Sequence, residues 1–167
     1  SLENKKVEWE QEMTSEEWRM LFQMAEIHHV LPMIYDAVYA CASIQYCDEN
    51  VFASCKYKMK QQVLGQIMKT SEFLRLYHML NKQHLYPVMV KGIVCRELYP
   101  NPDYRISGDE DMLIEEKDFS LYHELFTQYG MVVADEKADL DKDYEIPYGK
   151  KGSPIYIELH KHLFPPH

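Results

Sequence analysis

Apolar positions recur at helical spacing through the first half of the chain and at strand spacing through much of the second. Thr14-Ser15-Glu16-Glu17 has the form of a capping box, and Trp18, Leu21, Phe22 and Ala25 follow at helical spacing, which predicts a first helix. Pro32 suits the first turn of a second helix that carries Met33, Ile34, Ala37, Val38 and Cys41 on one side. A third, longer helix is predicted over Val51 to Asn81. Met59, Val63, Ile67, Leu74 and Tyr77 form its apolar stripe, and Lys56, Lys58, Lys60 and Lys69 decorate other positions. Glycine inside a helix costs about 1 kcal/mol relative to alanine, so Gly65 predicts a close helix contact.

From about His84 the pattern changes. Tyr86 to Lys91 reads as a short strand, Gly92 as a turn, and Ile93 to Tyr99 as a brief helix that Pro100 and Pro102 terminate. A strand enters at Asp109 and Asp111 and runs to Glu115, an amphipathic helix covers Asp118 to Tyr129 and ends at Gly130, and Met131 to Ala134 is another strand. The acidic stretch Asp135 to Asp143 reads as a hairpin or loop. Tyr144 to Tyr148 and Pro154 to His160 read as paired strands joined through Gly149 to Ser153. The expected class is α+β: an N-terminal helical region over 1–84, then a small mixed sheet with flanking helices over 85–167.

Composition narrows the function classes. A chain of 167 residues with a net charge of -9 does not wrap nucleic acid through a broad basic face, although a local basic site is compatible with it. No apolar run approaches the ~20 residues of a membrane span, and the N-terminus lacks the apolar core of a signal peptide. Cys41, Cys47, Cys55 and Cys95 show neither a CxxC pair nor metal-ligand spacing and read as reduced thiols, as in a cytoplasmic protein. The chain opens on Ser1 and stops nine residues beyond Glu158, which reads as a product truncated at its C-terminal side.

Candidate chemistry concentrates in the second half. Asp109 and Asp111 lie two apart on a predicted strand and face one side, where their repulsion calls for a cation, bound protons or water. Glu158 lies on another strand between apolar Ile157 and Leu159, and three such acids are a hard-oxygen set suited to Mg2+ bound with substrate phosphates. A bare pair of acids is also common at solvated strand entries. Lys91-Gly92 before a short helix suits a phosphate, through a close backbone approach, free N–H groups and a point charge, and Arg105 adds a planar fork. A plain strand-to-helix turn and surface cations are the alternatives there. Glu158, His160 and His162 alternate along one strand and form a competing set with transition-metal spacing.

Four segments in order, Val90-Lys91-Gly92-Ile93, Leu98-Tyr99-Pro100, Arg105 through Ile114 (RISGDEDMLI) and Ile157-Glu158-Leu159-His160, resemble the bacterial uncharacterised nucleotidyltransferase family of the DNA polymerase beta superfamily. The resemblance implies a nucleotidyltransferase-like core preceded by helices. It also implies two Mg2+ ions and transfer of a nucleoside monophosphate from a triphosphate such as ATP. Asp109 and Asp111 match the acid pair, Glu158 the third acid, and Lys91-Gly92 the turn before the short helix. Ile93 stands where the wider superfamily has serine after the glycine. The acceptor, whether small molecule, protein or nucleic-acid end, is not legible. The rival readings are a nucleotide- or partner-binding module without turnover, and a metal-dependent hydrolase built on Glu158, His160 and His162.

Overall fold

A computed structural model describes residues 12–165. Helices α1 (Ser15–Ile27), α2 (Leu31–Val38) and α3 (Glu49–Lys82) come first, followed by β1 (Val88–Met89), the single-turn α4 (Ile93–Arg96), β2 (Glu110–Leu113), α5 (Phe119–Gln128), β3 (Val132–Val133), β4 (Glu145–Gly149) and β5 (Tyr156–His160). This is a mixed fold of helices followed by a five-stranded mixed sheet, the α+β class expected. Among the described residues no helix is long and apolar enough to cross a membrane.

The chain divides into two compact units. The described residues through Gln66, with Arg96–Ile106, form the first, and Ile67–Cys95 with the residues from Ser107 onward form the second. In the first unit, Thr14 and Glu17 close the expected capping box, with the Thr14 N–H donating to Glu17 Oε2 at 2.7 Å. Trp18, Phe22, Ala25, Leu31, Val38, Cys47 and Cys55 make its core. Asp48 opens α3 by accepting from the N–H groups of Asn50 and Val51. All four cysteines carry free thiols, and burial pushes that of Cys55 up to about 12.

The second unit carries the sheet, in the order β1-β2-β5-β4-β3. β2 and β5 run parallel at its centre and the other pairings are antiparallel. Because strand side chains alternate, this register sorts the sheet into two faces. Met112, Ile157, Leu159, Ile146 and Tyr148 belong to one, and they join Phe73, Leu76 and Leu80 of α3 and Tyr122 and Phe126 of α5 in a single buried core. Asp111, Glu158, His160 and Glu145 belong to the other.

Two expectations for α3 are corrected. The buried positions of its second half are Gln66, Lys69, Phe73, Leu76 and Leu80, spaced three, four, three and four apart, whereas Ile67 and Leu74 are about half exposed. The expected stripe leaves Lys69 off the apolar face, whereas the structure buries it beside the buried Glu110, since a lysine is buried where a partner is buried with it. Among the described residues a Cβ at Gly65 would meet nothing within 4 Å outside its own helix, so no close contact there accounts for that glycine. The expected strand over Tyr86 to Lys91 shortens to Val88–Met89, and the brief helix ends at Arg96 rather than Tyr99.

Candidate active site

The site is built on the polar face of the β2–β5 pair. Parallel register sets Asp111 opposite Glu158 and Leu113 opposite His160, while the antiparallel β4 brings Glu145 opposite His160. Asp109 immediately precedes β2 and, two positions before Asp111, turns toward the same side. One ligand atom from each of Asp111, Glu158 and His160 falls within 4.8 Å of the others. His160 Nε2 lies 3.1 Å from Asp111 Oδ1 and 3.9 Å from Glu158 Oε2, and its Nδ1 lies 3.6 Å from Glu145 Oε2.

Lys91 ties the acid pair together. Its Nζ is 2.9 Å from Asp111 Oδ1 and 3.7 Å from Asp109 Oδ2. The hydrogen bond to Asp111, reinforced by the charges of Asp111, Asp109 and Glu158, raises the Lys91 pKa despite some burial. Glu158 is shifted upward as well, but for a carboxylate this disfavours the charged form. Burial first, then the neighbouring Glu145, Asp109 and Asp111, raise its pKa above the ordinary carboxylate value, and Lys91 only partly offsets this.

Glu110 points to the opposite face and is fully buried. Its carboxylate accepts from the Ile93 N–H at 2.5 Å and from Ser107 Oγ at 3.3 Å, and it lies 3.7 Å from the buried Lys69 Nζ. Gly92, at φ +67°, is what lets this carboxylate in, since a Cβ there would sit 2.1 Å from Glu110 Oε2. The sequence pattern predicts that the turn before α4 offers free N–H groups to a phosphate. The Ile93 N–H is instead committed to an internal carboxylate, and α4 is only four residues long, so this turn is a structural joint between α4 and β2.

The predicted residues therefore divide. Asp111, Glu158 and His160 converge, and Asp109 and Lys91 join them through the lysine's two carboxylate contacts. Gly92 packs against the Glu110 carboxylate and the Asp109 backbone carbonyl rather than against the carboxylates of the acid pair. Arg105 belongs to the first unit, with its guanidinium 5.9 Å from the centre of the Tyr99 ring. His162 lies beyond the end of β5, exposed and 3.5 Å from Glu116, so the Glu158, His160, His162 alternation stops at His160. Lys69, Glu110 and Glu145 were not singled out from sequence. The one sequence trace of the first two is an acid at an apolar-facing strand position and a lysine four residues before Phe73 on a helix.

The residues fit a divalent cation. Asp111 is buried, yet its Oδ2 has no hydrogen-bond partner among the described residues, an arrangement that is costly without a ligand. Three carboxylates and one imidazole supply mainly hard oxygen donors, appropriate to Mg2+ or Mn2+.

Helices followed by a mixed sheet, with acids on its polar face, define a nucleotidyltransferase-like α+β protein. The chain belongs to the uncharacterised nucleotidyltransferase family, whose sequence model matches residues 14–167. It is thus a transferase of the nucleotidyl class, with a nucleoside triphosphate as the implied substrate. No curated protein and no solved structure matches the chain.

Proposed function

We propose that this protein transfers a nucleoside monophosphate from a nucleoside triphosphate to a hydroxyl acceptor, using Asp109, Asp111 and Glu158 as the acids of a two-Mg2+ centre. The observation that carries the reading is the parallel register that sets Glu158 beside Asp111, with Asp109 on the same side, in a chain of this family. Cations bound there supply charge neutralisation on the phosphates and activation of the acceptor hydroxyl. Asp111 presents its oxygens from β2, where the ladder to β5 fixes its place beside Glu158, and Asp109 does so from the position just before the strand. Glu158, whose pKa burial and neighbouring acids raise, is suited to take up the acceptor's proton at a carboxylate oxygen. His160, held between Asp111 and Glu145, orients the Asp111 carboxylate toward the site.

A second reading, a nucleotide- or partner-binding module without turnover, draws support from the Gly92 turn, where Glu110 takes the Ile93 N–H that a phosphate would otherwise use. One experiment separates the two. The protein is incubated with Mg2+, each of the four α-labelled ribonucleoside triphosphates in turn, and a cell extract fractionated into small molecules, protein and RNA. Label should move from one triphosphate into one fraction, and Asp111→Asn should cut the rate by about a hundredfold or more, the scale of losing one charge-stabilising group. Transfer unaffected by Asp111→Asn would reject the assignment. Triphosphate binding with no transfer into any fraction would favour the binding module.

A further inference from the structure

β2 has one lysine on each face, and the two differ in freedom. Lys69 is buried beside the buried Glu110, from a position in the middle of a long helix. Lys91 is half exposed, and its contacts are to the acid pair. The backbone that bears it is pinned on both sides: the Val90 N–H donates to the Asp111 carbonyl at 3.1 Å, and the Ile93 N–H donates to Glu110 at 2.5 Å. The Lys91 Cα is therefore fixed against β2, while its four-carbon stem leaves the ammonium able to swing.

We propose that Lys91 is an exchangeable counter-ion of the acid pair: a divalent cation arriving at Asp111 Oδ1 displaces its ammonium, which then pairs with the polyphosphate of the nucleotide. The proposal rests on the reading of Asp109 and Asp111 as metal-binding acids. An ammonium 2.9 Å from Asp111 Oδ1 and a divalent cation seeking the same oxygen cannot share it without strong repulsion. Once displaced, the ammonium is a compact charge with three donors, suited to phosphate oxygens and tethered beside the carboxylates that hold the metal. Metal binding frees the lysine for phosphate, and phosphate binding draws the lysine away from the metal site. The two ligands favour one another by the same factor in either order.

The test uses Mn2+ alone and inorganic tripolyphosphate as probes, titrated calorimetrically into the whole chain. Lys91→Met should bind Mn2+ about three- to tenfold more tightly than wild type, a modest coupling for two charged ligands. The factor by which Mn2+ strengthens tripolyphosphate binding should fall by a similar amount. Lys91→Arg, which keeps the charge, should retain most of the wild-type coupling, and Lys91→Gln replaces Lys91→Met should the latter not fold. A lysine that only braced Asp111 would give the opposite sign, with weaker Mn2+ binding on its removal. Mn2+ affinity unchanged or lowered in the neutral variants, or an unchanged metal-to-phosphate coupling, overturns the proposal. Asp111→Asn separates this from failure of the underlying reading: if it binds Mn2+ as wild type does, the metal site itself is misassigned.

Discussion

Gly92→Ala puts the joint between α4 and β2 under a defined load. At φ +67° any side chain carries the left-handed penalty, about 1–2 kcal/mol. The new methyl would also lie 2.1 Å from Glu110 Oε2, 2.8 Å from its Cδ and 2.9 Å from the Asp109 carbonyl oxygen. Glu110 cannot retreat, because it is fully buried and already engaged with Ile93, Ser107 and Lys69. Such overpacking adds about 1–3 kcal/mol, for a total of about 2–5 kcal/mol. Gly130 is an internal control, with φ +84° and, among the described residues, no atom nearer its Cβ position than Lys150 Cε at 3.8 Å. Gly130→Ala should therefore cost only the conformational part, about 1–2 kcal/mol. Urea unfolding of both variants, followed by far-ultraviolet circular dichroism, measures the difference. Equal losses for the two alanines would refute the claim that Glu110 fills the turn.

Two further outcomes concern pH. Glu72 accepts from Lys150 at 3.0 Å and from the Tyr129 hydroxyl at 3.0 Å, and these contacts lower its pKa below 4.5. Its stabilisation is present above the unfolded value and lost as pH falls through the lowered folded value. Glu72→Gln should then cost about 1 kcal/mol at pH 7, the scale of a typical net hydrogen bond, and the gap to wild type should close in acid; thermal melts at both pH values check this. Glu158 has the reverse sign: its raised pKa means that stability falls as pH rises from the ordinary carboxylate value through the folded one. Without added metal, Glu158→Gln should accordingly raise the melting temperature at pH 7 while weakening Mn2+ binding, and a lowered melting temperature would count against repulsion among these acids.

Much of the sheet was legible because strand alternation is a local property. Apolar Ile157 and Leu159 flanking Glu158, and Asp109 two before Asp111, carry their facing in the sequence, and the parallel register then brings Asp111 beside Glu158. What escaped was pairing between distant buried charges. Lys69 and Glu110 are 41 apart along the chain, each reads as a surface residue by itself, and only their mutual burial makes either one internal. The same blindness rotated the apolar stripe of α3, since counting Lys69 as exposed moved the predicted face onto Ile67 and Leu74. The role of the Gly92 turn is hidden for a related reason: a glycine that admits a phosphate and one that admits an internal carboxylate look alike until the acid's position is known. His162 continued the alternation in sequence, but the ladder of β5 ends at His160 and the geometry ends with it.

The central claim is that Asp109, Asp111 and Glu158 hold divalent cations on the polar face of the sheet. Crystals soaked in Mn2+ with a non-hydrolysable nucleoside triphosphate analogue test it most directly, through anomalous scattering at the manganese edge. Peaks bounded by these three carboxylates, with the Lys91 ammonium turned from Asp111 toward the phosphates, are the predicted result. Manganese absent from Asp111, or held by His160 and His162 away from Asp109, would contradict it.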